Sequence, residues 1–189
     1  MRKLLTLLTI ILGGCLVAGL YGILHDQLTY SISPEYYTKF KFDQFGLMYD
    51  GNDAIVEYPR IFVSIVGFLA TWWVGPPIAL GLGLFSIHSD KRFMLEISFK
   101  GFIVVIFISF LSGLYGLYRG FTYLSQQPRE MFHRWFIPDD LVDFESFIAV
   151  GSMHNSSYVG GFIGLFAGIA YVGWRKGMSK TRLKDATER

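Results

Sequence analysis

The sequence predicts an all-α membrane protein with four transmembrane helices, and three observations carry this prediction. First, 52% of the 189 residues are hydrophobic and only 17% are charged, whereas soluble domains are about a quarter charged. Second, the apolar residues concentrate in four runs that reach or approach the roughly 20 residues needed to cross a bilayer. These runs are 4–24, 61–85, 101–118 and 156–174. Third, none of them contains Asp, Glu, Lys or Arg. Because lipid cannot hydrogen-bond the backbone, the runs should be helices of a single membrane domain, 1–189.

The first run could also be a targeting segment. It follows Met-Arg-Lys, which is how secretory signal peptides begin, but its 21 apolar residues are longer than a usual signal core and no small-x-small cleavage site follows. The segment Ile-Leu-Gly-Gly-Cys resembles a lipoprotein signal that would lipidate Cys15, yet residues 16–24 stay apolar. We therefore expect a retained helix, with cleavage or lipidation as the alternatives. Cys15 is the only cysteine, so no intramolecular disulfide can form.

Small residues recur at every fourth position in the first and fourth runs. The two ladders are Gly14, Ala18 and Gly22, and Gly160, Gly164 and Gly168. Such ladders let helix backbones approach closely in lipid. We predict that the first and fourth helices pack against each other in antiparallel orientation, with Gly22 opposite Gly160.

The second run contains a proline pair near its middle. Pro76 and Pro77 remove two backbone donors, which predicts a kink or a local break. Trp72 and Trp73 precede the pair and are expected to pack into the kink. A broken helix that lines a binding site is also typical of transporters, but these usually have a second broken helix, and the third run contains no proline.

The charges predict the orientation of the chain. Eleven Lys and Arg residues lie at the N-terminus, in the 86–100 loop and in the tail 175–189, against four acidic residues there. The loops 25–60 and 119–155 contain six basic and eleven acidic residues. The positive-inside rule therefore predicts that both termini and the short 86–100 loop face the cytoplasm and that the two long loops face outside.

The outside loops are predicted to form a small folded cap of short strands and a short helix. Residues 28–32 and 38–45 alternate between apolar and polar side chains, as half-buried strands do. Between them, Ser33-Pro34-Glu35 predicts the start of a short helix, and residues 50–53 predict a turn.

Helix starts are also expected further along the chain. In the second outside loop, Pro138 followed by two aspartates predicts a helix with an apolar face. On the cytoplasmic side, Ser89 and Asp90 predict the capped start of the helix that leads into the third run.

The outside loops also contain histidines and carboxylates that could bind a metal ion. His25 directly follows the first run, His154 directly precedes the fourth, and Glu130 and His133 have the Glu-x-x-His spacing of di-iron helices. With Glu35, and with Asp26 and Glu145 as further carboxylates nearby, these residues suggest a metal site of His and carboxylate ligands at the outer membrane boundary. The alternative is that the histidines bond loop backbone and that Glu35 caps a helix and pairs with a nearby lysine. A haem between His25 and His154 is a weaker alternative.

Other chemical signatures are absent from the sequence. It contains no phosphate-binding glycine loop, no Gly-x-Ser-x-Gly, no His-Glu-x-x-His and no Cys-x-x-Cys. The net charge of +2 gives no indication of nucleic-acid binding.

Three stretches of the sequence, HDQLTYSISPEYYTKFKFDQFG, ATWWVG and HNSSYVGG, resemble a family of bacterial four-span integral membrane proteins of unknown function. The resemblance implies a bacterial cytoplasmic membrane and transfers no site residue. We expect a non-enzymatic protein that binds a protein, a lipid or a small ligand at its outer face, with a membrane partner or a second copy of the chain as further candidates. The alternatives are a metal-dependent membrane enzyme and a small transporter.

Overall fold

The computed structural model describes residues 2–48, 55 and 57–187, and helices dominate these ranges. The helices are α1 (Arg2–Ile32), α2 (Pro34–Tyr36), α3 (Phe42–Gln44), α4 (Pro59–Thr71), α5 (Gly75–Ser86), α6 (Lys91–Thr122) and α7 (Phe144–Thr187). A π-helical turn, Tyr37–Lys41, joins α2 to α3, and short 3-10 turns lie at Leu124–Gln126 and Arg129–Phe132. The turn predicted at 50–53 lies outside the described residues.

Four helical segments are long and apolar enough to cross a membrane, which confirms the all-helical, four-span prediction. In chain order the first to fourth spans are Arg2–Ile32, Pro59–Ser86, Lys91–Gln126 and Phe144–Ser179. Each extends beyond the apolar run that predicted it, because the helices continue into flanking polar sequence. One face of α1 carries leucines at every fourth position that are more than half exposed. They are Leu8, Leu12, Leu16, Leu20 and Leu24. Lipid would cover this face.

The second span is interrupted at the predicted place. A 3-10 turn, Trp72–Val74, separates α4 from α5, and the proline pair occupies the first turn of α5. Proline fits this position because the first amides of a helix have no intrahelical acceptor. Trp72 and Trp73 are both exposed by about half rather than packed into the interruption.

The predicted pairing of the two small-residue ladders is wrong, because each ladder packs against a different helix. On α1, a side chain at Gly22 would overlap the carbonyl of Gly67, and one at Gly14 would lie 2.5 Å from Ala79. The first span therefore packs closely on the second. On α7, side chains at Gly164 and Gly168 would each lie 3.0 Å from backbone atoms of α6. The fourth span therefore packs closely on the third.

The predicted strands of the cap are also wrong, since the described residues contain no strand. Residues 28–32 are the last turns of α1, and 38–45 form the π-helical turn and α3. The buried residues of this part of α1 are Gly22, His25, Asp26 and Thr29. They follow the helical period of three and four, and the short alternation of apolar residues coincides with it. The short helix predicted at Ser33-Pro34-Glu35 is present as α2.

The fourth span begins later than the predicted helix start at Pro138. Residues 136–143 contain no helix, and α7 starts at Phe144, where Asp143 accepts a hydrogen bond from the backbone amide of Ser146. The capping residue is thus the third aspartate of the segment. The predicted cap of the third span is confirmed, because Asp90 accepts from the amide of Phe93 at the start of α6.

The cap packs as an aromatic cluster over one end of the bundle. Its buried residues come from α2, α3 and the turn between them, from the 3-10 turn before His133, and from the ends of α4 and α7. They include Tyr36, Tyr37, Phe42, Phe132 and Phe147. A second apolar cluster joins all four spans deeper in the bundle.

Candidate functional site

Two helices bring polar side chains to the bundle end that the cap covers. His25 and Asp26 lie on the buried face of α1, and His154 and Ser157 lie one turn apart on α7. His25 is 23 residues from the start of α1, so it lies about 35 Å along the helix axis from Arg2. That length is similar to the roughly 30 Å hydrocarbon thickness of a bilayer. The cluster therefore lies at the end of the bundle opposite the basic segments.

Asp26 lies between the two imidazoles. His154 Nε2 is 3.2 Å from Asp26 Oδ1, and His25 Nδ1 is 3.4 Å from the same oxygen. The three residues are only 6%, 2% and 7% exposed for His25, Asp26 and His154. The two rings meet edge to face with their centroids 4.7 Å apart. We call these three residues the His–Asp–His cluster.

Each imidazole uses its second nitrogen to bond an oxygen on α7. His154 Nδ1 is 3.0 Å from the carbonyl of Val150, and His25 Nε2 is 3.1 Å from the hydroxyl of Ser157. A carbonyl can only accept, so Nδ1 of His154 must be the donor. Ser109 of α6 donates to the backbone carbonyl of Ser157 and thereby ties this part of α7 to the third span.

Aromatic rings of the cap cover the cluster. The Tyr36 ring stacks on His154 with centroids 5.0 Å apart, and Tyr37 lies across its edge at 6.5 Å. Burial raises the pKa of both phenols far above the usual value for tyrosine, and the Asp26 carboxylate raises each further. Both tyrosines are therefore neutral hydrogen-bonding groups. Lys41 lies above the ring of Tyr36, and burial lowers the pKa of its ammonium although Asp26 opposes the shift.

A cavity of about 410 Å³ extends from the cluster into the bundle. All four spans line it, and the cluster forms its polar end together with Tyr21, Ser109 and Ser157. The rest of the wall is mainly apolar, with Ile106 and Leu165 among its side chains. This size is within the roughly 300–1,000 Å³ of known ligand pockets.

The cavity reaches the bundle surface between the second and fourth spans. Trp73 and Pro77 border it at the interruption of the second span, and Tyr158 and Phe162 border it on α7. All four of these side chains are exposed. The Tyr158 hydroxyl donates to the carbonyl of Ala70 at 3.4 Å and links the two spans there. In a bilayer, this opening would face lipid.

Of the five metal-ligand candidates from the sequence, the structure brings only His25 and His154 together. Glu35 accepts hydrogen bonds from the amides of Val142 and Asp143 and pairs with Lys39 at 2.8 Å. Glu35 therefore connects the two long loops, 25–60 and 119–155. Its contacts fit the alternative role of capping and pairing with a lysine rather than metal binding.

Glu130 and His133 lie in and just after an exposed 3-10 turn, not on an α-helix. The Glu-x-x-His spacing places both residues on one helix face only if the segment is α-helical. Glu130 and His133 therefore do not join His25 and His154 in one group of possible metal ligands.

Ser157 and Tyr36 were not predicted from the sequence, and Asp26 was predicted only as a carboxylate near His25, not as one of the five metal-ligand candidates. The sequence does contain a signal for Asp26. The small and polar residues Gly22, Asp26, Thr29 and Ser33 recur at intervals of three and four, which places them on one face of a helix. No comparable signal identifies Ser157 or Tyr36, since their roles depend on how α7 and the cap pack.

Comparisons with known proteins find no matching family model, no matching curated protein and no matching solved structure.

Proposed function

We propose that this membrane protein binds a lipid-soluble ligand with one polar group in the cavity between its four spans. The proposal rests on one observation, namely that the cavity wall is apolar along most of its length and polar at one end. A mainly apolar chamber among the spans ends at a cluster of hydrogen-bonding side chains. Pockets that bind small molecules typically combine such an apolar wall with a few convergent polar groups.

The position of the opening supports entry from the bilayer. The cavity reaches the surface beside Trp73 and Phe162, on the part of the bundle whose exposed side chains are apolar. A ligand dissolved in the hydrocarbon could enter there without crossing water. At the far end, Tyr21, Ser109 and Ser157 present hydroxyl groups that can both donate and accept. These features favour a long-chain alcohol, a quinol or a similar molecule over a soluble metabolite.

Photolabelling of the purified full-length chain tests this proposal. A long-chain alcohol that carries a diazirine and an alkyne is added to the protein in detergent, irradiated, and located by peptide mass spectrometry. We expect labels on cavity-lining peptides that contain Ile106 or Leu165.

Two matched variants on α7 distinguish the cavity from the outer surface of the protein. Gly161 lines the cavity, and a Cβ atom there would have only one neighbour, Ser109 Oγ at 3.9 Å, so Gly161→Leu adds a side chain inside the cavity. Gly173 has nothing within 4 Å of a Cβ atom and does not line the cavity. We expect Gly161→Leu to reduce labelling about tenfold or more, since steric exclusion of a ligand costs at least about 1.4 kcal/mol. Gly173→Leu should label like the wild type. Equal labelling of all three proteins would contradict the proposal.

We also propose that the chain lies in a bacterial cytoplasmic membrane with both termini in the cytoplasm. The distribution of Lys and Arg between the loops supports this orientation, and the resemblance of the sequence supports the membrane. In this orientation the cap and the His–Asp–His cluster lie on the extracytoplasmic side. The ligand could be shared with a membrane partner or a second copy of the chain at the opening between the second and fourth spans.

A further inference from the structure

The Asp26 carboxylate is buried with one oxygen unsatisfied. Oδ1 lies near both imidazoles, but Oδ2 has no hydrogen-bond partner among the residues that the structure describes. The Tyr37 hydroxyl interacts with the Asp26 carboxylate, which raises the pKa of this phenol, but it makes no hydrogen bond of good geometry to Oδ2. The Tyr37 hydroxyl instead makes a 2.6 Å hydrogen bond with Thr29, in which either hydroxyl can be the donor, and Thr29 also lies 3.1 Å from a backbone carbonyl of α1. A buried carboxylate without compensation is strongly unfavourable.

The contact between His154 and Asp26 requires a positive species between them. Nδ1 of His154 donates its proton to the Val150 carbonyl, so Nε2 of the neutral imidazole has only a lone pair. That lone pair is directed at a carboxylate oxygen 3.2 Å away. Two lone pairs repel at this distance unless a proton or a metal ion lies between them.

His25 is oriented in the same way. Its Nε2 lies 3.1 Å from the Ser157 hydroxyl and its Nδ1 lies 3.4 Å from Asp26 Oδ1, and in the tautomer whose Nε2 donates to Ser157, Nδ1 presents a lone pair to the carboxylate. Both imidazoles thus have one nitrogen bonded to an oxygen of α7 and the other directed to the carboxylate. Metal-binding histidines usually show this arrangement, because the second hydrogen bond fixes the tautomer and the ring orientation.

The spacing of the donor atoms fits a small transition-metal ion. One ligand atom from each of the three residues lies within 4.8 Å of the other two. Zinc bonds to nitrogen and oxygen are about 2.0–2.1 Å long, so neighbouring ligands in a tetrahedral site are about 3.3–3.4 Å apart. The distances from Asp26 Oδ1 to His154 Nε2 and to His25 Nδ1, 3.2 and 3.4 Å, match this edge length.

We propose that His25, Asp26 and His154 bind one divalent transition-metal ion, with Zn²⁺ as the type ion. Two imidazoles and one carboxylate are typical ligands of Zn²⁺, Co²⁺ and Ni²⁺, whereas Mg²⁺ and Ca²⁺ prefer oxygen ligands alone. The ion supplies the positive charge between the lone pairs and compensates the buried carboxylate. All three residues line the cavity, so a remaining coordination position can be reached from it. The proposal does not depend on the lipid-soluble ligand.

Metal binding to the purified full-length protein tests this inference. The protein in detergent is stripped with a chelator, dialysed, loaded with Zn²⁺ and freed of unbound ion, and its metal content is measured by elemental mass spectrometry. We expect about one Zn²⁺ per chain for the wild type, as for a three-residue zinc site. Loading with Co²⁺ should produce the visible absorption bands of a four- or five-coordinate ion.

Variants of the ligands and matched controls make the test specific. Asp26→Asn keeps the shape of the side chain, and His154→Gln replaces the imidazole by an uncharged polar side chain. Each should reduce metal affinity at least about 100-fold, because each removes a ligand or its charge. Ser157→Ala should reduce it about tenfold by releasing His25. His133→Gln and Asp139→Asn change exposed residues of the same types and should bind like the wild type.

The outcomes separate a metal ion from a proton. Stoichiometric metal in the wild type and the controls, with loss in the ligand variants, supports the inference. A wild type that binds no Zn²⁺ or Co²⁺, or ligand variants that keep their metal, overturns it and leaves a shared proton between His154 and Asp26. If a ligand variant does not fold, the Co²⁺ spectrum of the wild type and its change with Ser157→Ala still decide the question. Failure here would leave the photolabelling result unaffected.

Discussion

Glu35 is predicted to hold the cap over the His–Asp–His cluster, and its replacement by alanine should loosen the second outside loop. The carboxylate accepts from the Val142 amide with both oxygens, at 3.0 and 3.1 Å, and from the Asp143 amide at 2.7 Å. It also pairs with Lys39, which in turn donates to the carbonyl of Asp140. One side chain thus anchors the segment directly before α7.

The size of the effect follows from these contacts. Hydrogen bonds to a charged group contribute about 1.5–3 kcal/mol when buried, and an exposed ion pair contributes about 0–1 kcal/mol. The Glu35 side chain is 18% exposed, so water can partly replace its partners. We therefore expect Glu35→Ala to reduce the local opening free energy by about 2 kcal/mol, which lowers amide protection about 30-fold. Glu35→Gln keeps one acceptor oxygen without charge and should lower protection about fivefold, or about 1 kcal/mol.

The pH dependence of this contact has a defined sign. Burial alone would raise the pKa of Glu35, but hydrogen bonds from Lys39 and from the amides of Val142 and Asp143 lower it below its usual value. A lowered pKa in the folded state stabilises the contact fully above the unfolded pKa, which is about 4.3 for glutamate. The stabilisation is lost as the pH falls through the lower, folded-state pKa. Wild-type protection should therefore decline in this acidic range toward that of Glu35→Ala.

Hydrogen–deuterium exchange of peptides that contain Val142 and Asp143 measures the effect as protection factors, which correct for the intrinsic pH dependence of exchange. Glu130→Gln is the matched control, because Glu130 is an exposed glutamate of the same loop. It should exchange like the wild type. Protection in Glu35→Ala within twofold of the wild type would refute the anchoring role, and so would an equal loss in Glu130→Gln.

Two further predictions concern helix packing and orientation. A Cβ atom at Gly67 would lie 2.5 Å from the Gly22 carbonyl, so Gly67→Ala should lower the free energy of unfolding in SDS by about 1–3 kcal/mol. Gly13→Ala, where a Cβ atom has nothing within 4 Å, should not lower it. For orientation, GFP fused to the C-terminus should fluoresce and alkaline phosphatase fused after Gln127 should be active, and the reverse pattern would exclude a cytoplasmic C-terminus.

The four spans could be predicted from the sequence because apolar composition decides membrane insertion residue by residue. The helices that the two glycine ladders pack against could not be predicted. Gly14 contacts α5 and Gly22 contacts α4, whereas Gly164 contacts α6, although the spacing of the two ladders is the same. A small-residue ladder shows that a close approach occurs, but many helix faces can supply the opposite surface. The choice among them depends on loop lengths and on the packing of all four spans together.

The candidate site was only partly predictable for a related reason. His25 and His154 were identifiable because each lies at the edge of an apolar run. Asp26 was predicted only as a nearby carboxylate, because the predicted end of the first span at residue 24 placed it in the loop 25–60. In the structure α1 continues to Ile32, and this extension moves Asp26 from a loop to the buried face of a helix. An error of about two helical turns in one boundary thus hid the position of Asp26 between the two histidines.

The cap and the cluster are physically coupled. Asp26 can remain buried only while Tyr36 and Tyr37 exclude water from this end of the bundle, and both tyrosines directly follow Glu35 in the chain. If the Glu35 anchor opens, water reaches the carboxylate and the energetic need for a positive ion between Asp26 and His154 decreases. Loosening the cap should therefore weaken metal binding at a distance from the ligands. The metal affinity of Glu35→Ala thus tests whether the Glu35 anchor and the metal site are coupled. An unchanged affinity would show that the four spans alone keep water away from the cluster.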